Sequence, residues 1–370
     1  MPPPPLPRAP AADGYWMPAE WEPHAGCWML FPYRPDNWRE SGGAGASRVR
    51  AGRRANQPLP EPVTVGVSAA LASRARSLLP SSVQPVDIES DDAWMRDVGP
   101  TFVINASRDV RGVDWRFNAW GGTAKGLYAQ WDRDDRVAAE VCMRADVPYY
   151  RAEFVMEGGA IHVDGQGTAL ATRQCLLNPN RGSRLTESLV ERRLRDYTGV
   201  RRVIWLDEGI QFDETDGHID NLACFVAPGH VVLAWCDNPR DPQYRISRSA
   251  FEVLADATDA NGRRLMVSRL PLPEPLSMTA QEAAGIVEVE GTKPRRAGDR
   301  LAASYVNFYI ANHAVIVPQF GDVNDGAAVR ILAGLFPNRQ IVPVAGREIL
   351  LGGGCVHCIT QQQPAGRVAA

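Results

Sequence analysis

Residues 351–364 read LGGGCVHCITQQQP, a run in which Cys355 and Cys358 bracket His357 behind three glycines. This spacing admits three chemistries: half of a zinc site, a redox pair, or the seat of one nucleophilic thiol. A structural zinc site usually shows a second paired motif, and the 370 residues contain no second Cys-x-x-Cys to join Cys355, His357, Cys358 and a remote His218. The third chemistry has more company. Asp97 stands in DDAWMRDVGP, Glu157 in MEGGAIH, and His218 with Asp220 in DETDGHID. A thiol, an imidazole and three carboxylates suit attack on a carbon that already carries positive charge. A free thiol of pKa about 8.5 is only a few per cent thiolate at neutral pH, and carboxylates hinder the thiolate unless a cation sits among them. A substrate guanidinium brings that cation, permanently charged and forked to match carboxylates. The histidine then shuttles the proton.

These residues must be positioned by something. Four segments share one design, a polar stretch followed by two β-rich runs around an Asn, Asp or Gly turn: residues 96–115, 157–172, 217–235 and 303–320. The reactive residues stand at or near the beginnings of such hairpins. Helical spacing appears between them, in TESLVERRLRDYTG with Gly199 as a stop, in SRSAFEVLADATDANG with serines at the start, and in DGAAVRILAGLFPNR with Asp325 as N-cap. GREILLGGGCVHCIT adds a strand and a turn that pair with the early HAGCWMLFP, so the count of modules reaches five. If each module sends one polar residue to a common axis, groups far apart in sequence become neighbours. The plainer reading is that Gly158, Gly159, Gly352, Gly353 and Gly354 serve turns alone, but turn chemistry does not place an acid, a histidine and a thiol after successive turns.

With 45% apolar residues, 22% charged residues and a net charge of -3, the chain is ordinary globular material, with no general reason to bind nucleic acid or a membrane. The proline-rich residues 1–14 read as a disordered tail, 15–364 as a single domain, and 365–370 as a second tail. No signal peptide or spanning segment is expected, which points to the cytoplasm, and seven scattered cysteines point to reduced thiols. His24, His162, His230 and His313 have no constellation and read as structural. Residues 39–60, rich in glycine and arginine, read as a solvated loop or basic linker where the repeat calls for a helix.

The motifs MPAEWEPH, RPDNWR, SDDAWMRDVGP, FNAWGG, MEGGAIHVDGQGT, DETDGHIDNLACF, AGDRLAASYVNFYIAN, VPQFGD and LGGGCVHCITQQQP together resemble the agmatine deiminase family of the guanidine-modifying α/β-propeller (pentein) superfamily, from about Met17 to Pro364. The resemblance implies a five-bladed α/β-propeller of pseudo-symmetric ββαβ modules around a central active site. It implies a hydrolase of linear amidines that needs no metal or organic cofactor and turns agmatine into N-carbamoylputrescine and ammonia, toward putrescine. Cys358 would attack the guanidinium carbon and carry an amidino (thiouronium) intermediate. His218 would protonate the departing ammonia and later take a proton from water. Asp97 and Asp220 would clamp the guanidinium, and Glu157 would bond His218 or a guanidinium nitrogen. Glu214 and Trp94 are candidates for the far end, where a carboxylate and an aromatic wall suit an ammonium and a methylene chain. Alternatives are a peptidyl-arginine or other arginine deiminase or amidinotransferase of the same fold, for which the motifs nominate no basic partner at the pocket mouth, and a silent metal-binding or scaffold protein. A homo-oligomer remains open. The chain departs from the family at Cys355, where Asn is usual and a reversible disulfide with Cys358 is one consequence. It departs at Asp216, also usually Asn, where an added carboxylate would raise the His218 pKa. It departs most at residues 39–60, where the family has an amphipathic helix and two compensating frameshifts would restore one.

Overall fold

The computed structural model describes residues 2–42 and 60–366. Among the described residues, sixteen strands form five small mixed sheets. Four sheets repeat one plan, an antiparallel hairpin whose second strand pairs in parallel with a third. They are β4 (Thr101–Ile104), β5 (Val110–Arg116) and β6 (Tyr149–Val155); β7 (Ile161–Val163), β8 (Thr168–Thr172) and β9 (Arg202–Leu206); β10 (Ala223–Ala227), β11 (His230–Trp235) and β12 (Met266–Pro271); β13 (Tyr309–Ile310), β14 (Ala314–Gln319) and β15 (Gln340–Ala345). Parallel neighbours require a crossover, and helices Asp134–Arg144, Glu187–Thr198, Gln243–Asp256 and Asp325–Leu335 supply one in each sheet. The fifth sheet joins the two ends of the chain. Its order is β16 (Gln361–Pro364), β1 (His24–Leu30), β2 (Val63–Val67), β3 (Val83–Asp87), with β16 antiparallel to β1 and the other pairs parallel. The connection from β1 to β2 contains residues 43–59, so the expectation of a loop, linker or frameshifted helix there lies outside the described residues.

Side chains explain where the elements fall. Thr186 caps helix Glu187–Thr198 by accepting from Leu189 N, and Gly199 ends it at φ +68°. Val190 and Leu194 face inward to a core with Trp205, Trp115 and Tyr150. The larger core runs under the other sheets through Phe225, Leu233, Ile310 and Val315. Three sequence expectations are corrected. The closing strand is the glutamine run, not the apolar GREILL, whose residues Arg347–Leu350 form a helical turn. The glutamines succeed as a strand because their side chains find partners: Gln363 accepts from Trp28 Nε1 and Gln362 from Arg96 Nη1, both at 2.8 Å. Helix Gln243–Asp256 begins ahead of the serines, where Asp241 Oδ1 accepts from Gln243 N at 2.9 Å, and Ser247 lies inside it bonded to Ala234 O. Asn324, not Asp325, is the N-cap of the last long helix. The Asp325 carboxylate instead gathers Gly321 N and the Tyr305 hydroxyl, fixing the helix to the end of β14. The proline-rich start, expected as a disordered tail, has partners: Leu6 N donates to Tyr149 O, the Tyr149 hydroxyl donates to Pro3 O, and Pro10 is buried. No helix among the described residues is long and apolar enough to cross a membrane.

Candidate active site

Four of the candidate groups stand at a short turn just ahead of the first strand of a hairpin, and the fifth in the turn before the closing strand β16. Asp97 lies in the helical turn Met95–Val98 before β4, Glu157 before the turn Gly158–Ala160 and β7, His218 and Asp220 around the turn Ile219–Asn221 before β10, and Cys358 before β16. All five are buried. Cys358 Sγ lies 3.6 Å from Asp220 Oδ2. His218 Nδ1 lies 3.8 Å from Asp97 Oδ1, and its Nε2 lies 3.6 Å from Glu157 Oε2. Gly159 shows where the space between them is: a Cβ there would stand 2.6 Å from His218 Nδ1, 2.9 Å from Asp97 Oδ1 and 3.1 Å from Asp220 Oδ2. The missing side chain leaves a gap edged by an imidazole and two carboxylates. Asp220 borders both this gap and the sulfur.

The charges explain the protonation states. Burial pushes the Asp97 carboxyl up to about 6; His218 opposes this, and Asp220 and Glu157 reinforce it. Burial works against a charged His218, yet Asp97, Cys175 and Glu157 outweigh it and hold the imidazole well above its ordinary range. Burial, then the negative charges of Asp220 and Asp97, raise the Cys358 thiol well above its usual value, against the Cys355 amide and Asn307, which favour the thiolate. The site therefore pairs a protonated thiol with a protonated histidine among carboxylates.

Several partners were not legible in the sequence. Asn307 Nδ2 donates to Cys358 Sγ at 3.2 Å, and its direction is fixed because Asn307 Oδ1 accepts from His357 N at 2.9 Å. Arg181, wholly buried, donates through Nε to Glu157 Oε2 at 3.2 Å and through Nη1 to Asp216 Oδ2 at 2.5 Å. Opposed by burial, Arg181 and His218 keep Glu157 below its ordinary value. Trp120 Nε1 donates to Asp97 Oδ2 at 3.0 Å. Asn307 had a signal: it opens the fourth hairpin at the place where the others carry Asp97, Glu157 and His218.

Trp94 and Glu214 lie beside the same site. Gly354 is squeezed between Trp94 and Cys358, since a Cβ there would sit 2.5 Å from Trp94 Cζ3 and 3.1 Å from Cys358 Sγ. Trp94 also stacks on Trp38 at 5.0 Å and lines a cleft with Trp120, Tyr128, Lys293 and Arg295. Glu214 accepts from Arg295 Nη1 at 2.5 Å and from Lys293 Nζ at 3.0 Å through Oε1, while its buried Oε2 has no partner among the described residues and faces Gly353. Basic residues thus do stand at the cleft, although no motif nominated them, and both are engaged by Glu214.

The remaining expectations resolve as follows. Asp216 does not act on His218 as an added free carboxylate, because Arg181 and Asn180 hold it; the raised imidazole owes its shift to the nearer groups named above. Cys355 Sγ lies 4.0 Å from Gly346 O, with a thiol pushed up to about 12 by burial. Its sulfur and that of Cys358 have different neighbours. His162 and His24 are buried structural partners, the first accepting from Phe225 N and the second bonded to Glu61 and Glu20 O. Two donor groups lie close enough to hold an ion, Glu20 with His162 and His357, and Glu157 with Cys175 and His218. In the first, both His357 nitrogens already have carboxylate partners, and in the second Arg181 already supplies a cation to Glu157. Neither reads as a metal centre.

The sequence of the Porphyromonas-type peptidyl-arginine deiminase family matches residues 16–364. Among similar proteins is an agmatine deiminase of Pseudomonas aeruginosa (strain LESB58), 52% identical over 362 residues that cover 97% of this chain and 98% of that one. An agmatine deiminase of Pseudomonas fluorescens (strain Pf-5) is 50% identical, with the same coverage. The solved structure of the agmatine deiminase of Enterococcus faecalis superposes with a TM-score of 0.93 at 44% identity, over 98% of this chain and 99% of that one.

Proposed function

The chain belongs to the Porphyromonas-type peptidyl-arginine deiminase family, and we infer that within it the protein is an agmatine deiminase, a hydrolase that converts agmatine to N-carbamoylputrescine and ammonia for putrescine formation. One juxtaposition carries the reading. The gap at Gly159 is edged by His218, Asp97 and Asp220, and Asp220 also flanks the Cys358 sulfur. A planar cation in that gap would meet carboxylates at its rim and a sulfur at its carbon.

Asp97 and Asp220 clamp the guanidinium nitrogens, each charge-assisted bond contributing roughly 1.5 to 3 kcal/mol. The added cation lowers the cost of ionising the Cys358 thiol, which the resting carboxylates oppose, and the thiol proton passes to solvent because His218 already carries its own. The thiolate attacks the guanidinium carbon to form a C–S bond and a tetrahedral adduct, and His218 gives its proton to the departing nitrogen, so that the C–N bond breaks and ammonia leaves. Deprotonated His218, oriented by Asp97 and Glu157, takes a proton from the water that attacks the amidino carbon. The C–S bond then breaks, releasing N-carbamoylputrescine and the thiol. Glu214, with Oε2 free, receives the ammonium, and Trp94 lies along the methylenes. An α-carboxylate in that place would meet Glu214 and Asp92, which also lines the cleft, with Arg295 already committed to Glu214, Asn37 and Gly352 O and Lys293 to Glu214. Agmatine, which lacks a carboxylate, fits better than arginine.

Five mixed sheets of one plan, with the last strand on the first, support a five-bladed α/β-propeller of the pentein type formed by residues 15–364 with the site at its centre. Seven cysteines, all free, fit a reducing compartment such as the cytoplasm. The test is ammonia release from agmatine, arginine and a C-terminal arginyl peptide, with mass spectrometry of enzyme quenched during turnover. Agmatine should be preferred, an amidino adduct should appear on Cys358, and Cys358→Ser should abolish release with an unchanged unfolding temperature. Turnover surviving that change, or a label on Cys355, refutes the assignment.

A further inference from the structure

We propose that His357 is a positioning residue for this reaction: an imidazolium held between two buried carboxylates, which fixes the Asp220 carboxylate with Oδ2 beside the nucleophile and the Gly159 gap. The inference rests on the reading of Asp220 as a guanidinium clamp. His357 Nδ1 lies 2.9 Å from Asp220 Oδ2, and its Nε2 lies 2.9 Å from Glu20 Oε2. An ionised carboxylate only accepts hydrogen bonds, so a ring with a single N–H would leave one of these contacts as lone pair against lone pair. Two N–H groups satisfy both, and they make the ring a cation.

The alternative places a proton on one carboxyl, and the surroundings disfavour it. Glu20 Oε1 accepts from Ile310 N at 2.8 Å, and the Arg96 guanidinium stands 4.0 Å from Oε2. Although burial opposes ionisation of both, His357 and Arg96 hold Glu20 and Asp220 below their ordinary values, with His162 helping at Glu20 and His218 at Asp220. The charged and titratable groups around His357 are therefore Asp220, Glu20, Arg96 and His162. His162 accepts from Phe225 N through Nδ1, which leaves its one proton on Nε2, 3.6 Å from Glu20 and 3.2 Å from Cys224 Sγ; it is the neutral member. His357 raises no catalytic group itself. Its side chain holds Asp220 by Oδ2, the oxygen that edges the Gly159 gap and the sulfur, while the buried Oδ1 has no partner among the described residues, so the carboxylate keeps acceptor capacity for a ligand. Its main chain turns the Asn307 amide toward the sulfur. Glu20, 337 residues away in sequence, supplies the second anion that keeps the ring charged.

The experiment compares His357→Gln and Glu20→Gln with Asp220→Asn, following kcat and KM for agmatine across pH. Loss of one charge-assisted bond should lower kcat/KM of His357→Gln by about tenfold to a hundredfold, mostly through KM. The acid limb, set by Asp97 in the parent, should move to higher pH, because burial then raises Asp220, no longer offset by the His357 cation, past Asp97. Glu20→Gln should move it the same way by a smaller step. A purely structural role would lower the active fraction and leave the limb in place, and that result overturns the proposal. If Asp220→Asn is inactive while both other variants keep the parental limb, only the role of His357 falls; if Asp220→Asn retains full activity, the clamp reading falls with it. Ring nitrogen-15 NMR of the unsubstituted protein needs no variant to fold: His357 should show two N–H groups at neutral pH, and one bare nitrogen there refutes the cation.

Discussion

Substituting Gly159 by alanine adds one methyl group at the place where chemistry is proposed to happen. The residue does not adopt the left-handed backbone, so alanine is allowed by φ, and the whole effect comes from contact. The new carbon would lie 2.6 Å from His218 Nδ1, about 0.8 Å inside the 3.4 Å at which ordinary contact begins, with Asp97 and Asp220 also too close. His218 cannot recede freely, because Glu157 stands 3.6 Å from its other nitrogen and is tied to Arg181. Relief must come from moving the imidazole or the Gly159 amide, which donates to Asp97 Oδ1 at 3.0 Å. A misplacement of about 1 Å costs on the order of a hundredfold in rate, and the methyl also fills the guanidinium's place. Gly159→Ala should therefore lower kcat/KM for agmatine by at least about a hundredfold, measured by ammonia release, while cooperative unfolding is kept. Retention of a third of the activity by a folded variant would refute the location of the reacting carbon.

Acid inactivation should reflect Asp97. The clamp needs its anion, and a carboxyl pushed up to about 6 becomes neutral below that pH, so kcat/KM should fall about tenfold per unit below about pH 6; a limb near pH 4 would contradict this. Arg181→Gln removes the cation from a fully buried Glu157 and should destabilise the fold by roughly 3–5 kcal/mol in urea unfolding, whereas a loss under 1 kcal/mol would show that His218 alone compensates that charge. Glu214→Gln should raise KM for agmatine roughly tenfold and leave n-butylguanidine, which has no ammonium, unaffected; an equal loss on both would mean that Glu214 only braces Arg295.

The hairpins were readable because their signals are local. Turn residues separate two β-rich runs, and the groups ahead of the first run, Asp97, Glu157 and His218, follow from that repetition. What failed to appear was settled by distant partners. Three consecutive glutamines carry no apolar alternation, and partners far off in sequence, Trp28 in the paired strand β1 and Arg96 in the turn Met95–Val98, give residues 361–364 their place as a strand. Ser247 looks like a cap in the sequence, but its hydroxyl finds Ala234 O across the helix–sheet interface. Asp216 looks like an extra charge until Arg181 is seen beside it. Glu20 and His357 had no visible reason to be discussed together, since each makes sense only against the other and Asp220. The acids and the thiol were legible by type; the groups that set their charges were not.

The pairing of Gln361–Pro364 with His24–Leu30 has a temporal side. On the ribosome, Asp97, Glu157, His218 and Asp220 all emerge before the sulfur that they serve, and the strand that seats that sulfur is made later still. A chain halted after the fourth sheet would hold the acids and the imidazole without a nucleophile, and its first strand would keep an open edge. Translation thus delivers the proposed nucleophile after the groups around it, and its seat is complete only when Gln361–Pro364 reach back to His24–Leu30.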